Sequence, residues 1–270
     1  MKILKLVEFV RVLEGGATMP ILIKAIDVED KIKLYALKLF TKEHIKTNFS
    51  VAKEIFANEF ARDFDLICPE YAIIRIDHEK LRIFCLKNNI PINVDELDEG
   101  YKFCSLFMEP NILFNPLTHL SFVNQYDIEK VFAFDFVTMN ADRGGPRKKP
   151  NLLINNEDLI LIDHELTFPF INGFGNFEIN YFQSVYSFNS DLHIFRKYLA
   201  DKRKKDNIFD EFIEYLRNCS VKKFEKLFDE MDTYNIKYGN RDLILGYVRW
   251  AVNNHAFIHK NLSKRISKNG

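Results

Sequence analysis

Asp142, Asn151 and Asp163 fall within one stretch, NADRGGPRKKPNLLINNEDLILIDHELTFPF, residues 140–170. Asp142 opens a polar, Gly-containing turn, where a purely structural carboxylate would be hard to satisfy. Asn151 begins a strand expected to reach Asn155, and Asn155-Asn156-Glu157-Asp158 supplies a turn. Leu159 to Asp163 is a second strand, apolar until it ends on a carboxylate. Such a hairpin delivers Asn151 and Asp163 to one small volume beside Asp142. Mg²⁺ takes oxygen ligands and keeps several waters, so one or two carboxylates plus phosphate oxygens are enough to hold it. A further Asp can orient an attacking hydroxyl. The ordered set suits phosphoryl transfer. Taken singly, Asp142-Arg143 reads as a loop ion pair and Asp163 as a strand-end cap.

Phosphoryl transfer also needs a cation on the phosphates, and the N-terminal half offers one. Strands are expected over Ile3 to Leu13, Ile21 to Ile26 and Lys33 to Phe40, the third carrying Lys38 within YALKLF. Its face alternates as Leu34, Ala36, Lys38 and Phe40. A Lys on an apolar face either snorkels to solvent or is buried with a partner. Ser50 is expected to cap a helix from Val51 to about Phe64. Glu59 lies in or beside that helix's apolar stripe and is the expected partner of Lys38, with Glu54 the alternative. Between the first two strands, Gly15 and Gly16 allow backbone N–H groups to approach an anion, and Thr18 adds a hydroxyl.

Tyr71 to Ile76 and Tyr101 to Met108 read as further strands, whereas residues 78–100 give no clear pattern. Met108 and Glu109 then open a break, the expected crossing between lobes, where backbone groups can read an adenine edge. The remainder is mostly helical. One helix runs from a cap at Asp127 to Met139, and three close the chain with caps near Asp206, Ser220 and Asn240. The run Lys202-Arg203-Lys204-Lys205 reads as a solvated turn.

Composition excludes several classes. A formal net charge of zero gives no global attraction to nucleic acid or membrane. No run of 18 apolar residues is present, so no transmembrane helix is expected. Four scattered cysteines in apolar contexts suit a reduced, cytoplasmic protein better than a disulfide frame. His255 and His259 share helical spacing but lack a third ligand for a metal.

The order strand, GG turn, strand, strand Lys, helix Glu, crossing, Asp turn, Asn, Asp resembles a protein-kinase-like fold. EGGATMPILIKAID, YALKLF and ANEFARDFDLICPE are similar to the HipA-like kinase domain family. NADRG, PNLLI and ILIDHELTFPF resemble both that family and the type II phosphatidylinositol 4-kinases. The resemblance implies a two-lobed α+β fold. Residues 1–110 would form a nucleotide-binding lobe, an antiparallel sheet with one helix, and residues 111–270 a mainly helical catalytic lobe. It implies ATP and Mg²⁺ as cofactors, with Asp142 as catalytic base, Asn151 and Asp163 on the metal, and Lys38 on the α/β-phosphates. Glu59 would pair with Lys38, and Gly15, Gly16 and Thr18 would cover the phosphates. Two departures stand out. Asp142 and Asn151 are nine residues apart, against about five in the protein-kinase catalytic loop. His164-Glu165 follows Asp163 where ordinary protein kinases have Phe-Gly.

The function these residues imply is an ATP/Mg²⁺-dependent phosphotransferase, with a protein Ser or Thr as acceptor. The lengthened loop leaves open a nucleotide-binding pseudokinase or regulatory module. The stretch from Asp142 to Phe168 leaves open a lipid or small-molecule kinase.

Overall fold

The computed structural model describes residues 1–13, 19–108, 112–115, 117–144, 149–172, 180–202 and 207–266. Gly15, Gly16, Thr18, Glu109 and the basic residues 203–205 lie outside the described residues.

The chain is mixed α+β. Five strands come from the first 106 residues: β1 (Ile3–Val12), β2 (Ile21–Ile26), β3 (Ile32–Leu37), β4 (Tyr71–Ile74) and β5 (Lys102–Leu106). They are not the antiparallel sheet expected but a closed barrel in the order β1-β2-β3-β5-β4. A parallel pair between β1 and β4, Ile3 beside Ile73 and Leu4 beside Ile74, makes the closure. Two register shifts in β1, between Leu6 and Glu8 and between Phe9 and Arg11, supply the extra twist that curls a long strand round. Ile21, Ile23, Ala25, Tyr35, Leu37 and Cys104 fill part of the barrel's own core.

Helix α1 (Ser50–Arg62) follows β3. Phe49, in the left-handed region at φ 53°, takes the cap position, and its carbonyl accepts the Lys53 N–H. Ser50 therefore makes no capping bond and is buried one place further in, bonded to Asn48 Nδ2 at 3.0 Å. A second helix, α2 (His78–Lys87), occupies part of the stretch without a clear pattern. Asp77 caps it by accepting from Glu79 and Lys80 N–H. Leu81 and Cys85, four residues apart, are its buried contacts with the barrel.

A small sheet follows, in the order β6 (Ile112–Leu113), β7 (Leu152–Ile154) and β8 (Leu159–Leu161). The expected 151–163 hairpin is its β7–β8 pair, with Leu152 opposite Leu161. The helices are α3 (Leu120–Val123), α4 (Ile128–Thr138), α5 (Tyr181–Ser187), α6 (Arg196–Lys202), α7 (Asp210–Arg217), α8 (Val221–Thr233), α9 (Arg241–Asn253) and α10 (His255–Arg265). Asp127 pairs with Lys130 at 2.9 Å instead of capping α4, and Ser220 makes no capping bond either. Asn240 caps α9 as expected. Asn254 separates α9 from α10, so the tail is one helix longer than its pattern suggested. His259 bonds Asp210 at 2.9 Å, and His255 faces the Val252 carbonyl.

The larger core joins α1 to this helical half. Phe56 lies 4.8 Å from the Phe228 ring, and Phe64 stacks on Phe212 at 4.3 Å. Phe60 meets Phe134, Phe168 and Phe224 at 5.5–6.1 Å between ring centres. Offset and edge-on ring pairs of this kind add about 0.5–1.5 kcal/mol each beyond area burial.

Candidate active site

Lys38 stands just after β3, and Asp163 just after β8. The fold brings their side chains together across 125 residues, with Lys38 Nζ 2.7 Å from Asp163 Oδ1. Lys38 also bonds Glu54 Oε1, from the second turn of α1. Glu54 is 1% exposed, and the same oxygen accepts the His164 N–H at 3.1 Å. One carboxylate thus holds the ammonium and the backbone next to Asp163. Burial works against the Lys38 charge, but Asp163 and then Glu54 outweigh it, leaving its pKa above the ordinary value. Burial raises Asp163, yet Lys38 brings it below the usual carboxylate range. Glu54 stays raised, because burial exceeds the pull of an ammonium that it shares.

The partner of Lys38 on α1 is therefore Glu54, not Glu59. Glu59 bonds Arg62 at 2.8 Å and pairs with Lys223 at 3.3 Å on another side of the helix. Five residues rotate a helix by about 140°, so the two acids cannot face one way. The apolar stripe did not distinguish them because α1 is buried on nearly all sides, from Ser50 to Asn58 without a break. Glu54→Gln is expected to lower phosphate transfer about tenfold or more, since the ion pair must be in place. Glu59→Gln should stay within about twofold of wild type, as a side chain away from the chemistry. Initial-rate assays of both variants check the pair.

Asp142 and Asn151 are also brought together. Asn151 Nδ2 donates to Asp142 Oδ2 at 2.9 Å, and the Asp142 N–H is held by Asn140 Oδ1 at 3.1 Å. Asp142 is mostly buried, and the Asn151 amide is what satisfies it. The loop ion pair is not formed: Arg143 turns away from Asp142, and its Nε donates to Asp135 Oδ2 at 2.5 Å. Its Nη1 donates to the Asn151 carbonyl. Asp135, within α4, also receives Asn140 Nδ2 at 3.0 Å and His193 Nε2 at 2.9 Å. Phe195 N–H donates to His193 Nδ1, so Nε2 carries the proton given to Asp135. Burial raises Asp135, but Arg143 first and His193 next take it below its ordinary value. Asp135 was missed as the anchor of the 140–151 loop. Its signal was available, a lone acid in the apolar run VFAFDFVT.

Asn151 and Asp163 both have left-handed backbones, φ 49° and 63°. Asn and Asp are the residues, after Gly, that tolerate this region best. Both line a cavity of about 250 Å³ together with Lys38, Glu54 and Lys149. Its other end is apolar, formed by Ala36, Phe103, Leu106, Met108, Leu153 and Leu161 among others.

The donor chemistry fits a hard cation. Carboxylate oxygens of Glu54, Asp163 and Glu165 lie within 4.8 Å of one another, and oxygen-only ligands suit Mg²⁺. The Asn151 amide nitrogen is committed to Asp142, which leaves its oxygen as the donor to a cation. Glu165 was not anticipated, although its place two residues after Asp163 was visible. Burial raises its carboxyl pKa.

Behind the site, Lys53 is 1% exposed and donates to Asn48 Oδ1 at 2.8 Å and to Asn172 Oδ1. Asn48 in turn bonds the Glu165 carbonyl at 2.9 Å. Burial lowers the Lys53 pKa to about 7. A neutral amine has two N–H donors for these two acceptors. In the unfolded chain the group titrates at its ordinary value, about 10.4. Between about pH 7 and pH 10 the unfolded state binds the extra proton, so this group's contribution makes stability rise with pH. The wild type should gain on the order of 3–5 kcal/mol relative to Lys53→Met across that window. Denaturant titrations of both at pH 7 and pH 9.5 measure the difference.

The family model described as HipA-like kinase matches residues 6–227. No curated protein matches the chain. Among solved structures, the chain is similar to the FAT and kinase domain of CtTel1, with 11% identity and a TM-score of 0.30. That match covers 99% of this chain and 22% of the other, so the chain spans about a fifth of its length. The open conformation of CtTel1 gives 10% identity and a TM-score of 0.27, covering 95% of this chain and 11% of the other. At those scores neither likeness bears on function.

Proposed function

Because the chain belongs to the HipA-like kinase family, we propose that it transfers the γ-phosphoryl group of ATP, with Mg²⁺, to a Ser or Thr hydroxyl of a protein. The observation carrying this reading is the 2.7 Å contact between Lys38 and Asp163 at the edge of the 250 Å³ cavity. An ammonium at the end of a strand, beside an oxygen cluster, suits a triphosphate and its counter-ion. In this reading residues 1–110 serve as the nucleotide-binding lobe and residues 111–270 as the catalytic lobe. The apolar end of the cavity takes the base, with Met108 and Glu109 at the crossing.

Asp163 and Asn151 would hold Mg²⁺, with Glu165 beside them; the bound ion neutralises charge on the phosphate oxygens. Lys38 binds the α/β-phosphates and is kept in place by Glu54. Asp142 accepts the hydrogen bond of the acceptor hydroxyl and orients its oxygen toward the γ-phosphorus. As the new O–P bond forms and the bond to the ADP oxygen breaks, the hydroxyl proton passes to Asp142. Asn151 fixes the Asp142 carboxylate throughout, and Arg143 ties the loop to Asp135.

The test is transfer of label from γ-labelled ATP to protein, with phosphoserine and phosphothreonine identified after hydrolysis and chelator as control. Label appearing only in lipid vesicles or small molecules would redirect the acceptor. ATP binding without transfer to any acceptor would reduce the protein to a nucleotide-binding module.

A further inference from the structure

The buried polar side chains of α1 are Ser50, Lys53, Glu54 and Asn58. Ser50 accepts from Asn48, Lys53 donates to Asn48 and Asn172, and Glu54 holds Lys38 and the His164 N–H. Asn58 is the exception. It is 3% exposed, and its Nδ2 donates to the Glu54 carbonyl at 3.2 Å, one turn back. Its Oδ1 has no partner among the described residues. Turning the amide over gives no relief, since the oxygen would then face the Glu54 carbonyl oxygen. An acceptor buried without a donor is costly, and each such atom in a folded protein calls for a reason.

Asn58 lines the cavity of about 250 Å³. It shares a face of α1 with Glu54, four residues earlier, but serves a different end of that cavity. The residues after Asp163 meet the first part of the helix: His164 bonds Glu54, and Asn48, just ahead of α1, holds the Glu165 carbonyl. Asn58 lies one turn, about 5 Å, further on, and α1 packs against β5. Along β5, Cys104 belongs to the barrel core, so Phe103 and Ser105 turn the other way and line the cavity with Asn58 and Pro69. The orphaned oxygen therefore belongs to the apolar end, where a base would sit, and not to the cation cluster.

We propose that Asn58 is a specificity-determining residue of the nucleotide cavity, its Oδ1 accepting a hydrogen bond from the 6-amino group of adenine. The proposal rests on the phosphotransferase reading above, and it names the feature of the nucleotide that this chain selects. Adenine presents a donor at position 6, whereas guanine presents a second acceptor there. A purine with no substituent at that position leaves Oδ1 as bare as it is in the empty cavity. A site built to bond a substrate N–H discriminates against an analogue without it, because the buried acceptor is then stranded.

Calorimetry with a matched pair of nucleotides tests this. With Mg²⁺ present, ATP and purine riboside triphosphate, its analogue without the 6-amino group, are titrated into wild type, Asn58→Leu and Asn58→Met. Wild type should bind ATP about 10-fold more tightly than the analogue, as for one buried acceptor left without its donor. In both variants the two nucleotides should bind within about twofold of each other. The empty variants should melt no lower than wild type, because an unsatisfied oxygen gives way to an apolar side chain. Methionine supplies a more adaptable replacement should leucine not fit. Equal binding of the two nucleotides by wild type would overturn the assignment. So would a preference for ATP that persists in both variants, which would give the 6-amino group to another acceptor. Failure of both variants to fold would make Asn58 a structural residue and overturn it as well. None of these results touches the phosphotransferase reading, provided that wild type binds ATP and transfers phosphate. If wild type binds neither nucleotide, that reading fails and takes the role of Asn58 with it.

Discussion

Replacing Asp142 with alanine is expected to reduce phosphate transfer by roughly 10²–10⁴-fold, the range typical of removing a general base. The fold should survive. Asp142 has one side-chain partner among the described residues, Asn151, whose amide also lies 3.4 Å from the Asp142 carbonyl and can shift onto it. ATP affinity should change little, because the proposed role puts the carboxylate on the acceptor and not on the nucleotide. Label transfer, calorimetric ATP binding and a thermal melt on the same preparation read the three quantities separately. A variant that transfers phosphate at the wild-type rate would remove Asp142 from the mechanism. A variant that melts early would instead make it a structural residue.

Arg143→Met is expected to cost about 3–5 kcal/mol of stability, as does removal of one partner from a buried ion pair. Asp135 is fully buried, and its remaining partners, Asn140 and His193, are neutral. His193 cannot easily become charged in compensation, because burial lowers its pKa. The carboxyl must then take up a proton or remain as an unpaired charge. Replacing both residues, Arg143→Met with Asp135→Leu, should recover much of the loss, since well-packed apolar pairs often match buried ionic ones. Urea titration of the two variants tests this. Equal destabilisation of the single and double variants would show that the hydrogen bond to the Asn151 carbonyl matters more than the charge.

The parts of this structure that were legible in the sequence are those set by local pattern. β2 runs from Ile21 to Ile26 as its apolar run requires, and the β7–β8 hairpin follows from the turn residues between Asn155 and Asp158. The meeting of Lys38 with Asp163 was legible only through the order of motifs. Three features were not legible, for three physical reasons. Choosing Glu54 over Glu59 needs a helix with a visible outer face, and α1 has none. Barrel closure depends on bulges in β1 and on a parallel pair 70 residues apart in sequence, Ile3 with Ile73, which no local period encodes. The role of Asp135 depends on Arg143, His193 and Asn140 converging from separate segments. Taken singly, Asp142-Arg143 read as a loop ion pair, but Arg143 is committed to Asp135 instead.

The phenylalanine interlock around α1 has a mechanical corollary. Glu54 rides on a helix that packs both against the C-terminal half, through Phe56, Phe60 and Phe64, and against β5 of the barrel, and Lys38 stands at the end of a barrel strand. Any repacking of this helix, from either side, would therefore be felt directly at the Lys38–Glu54 ion pair.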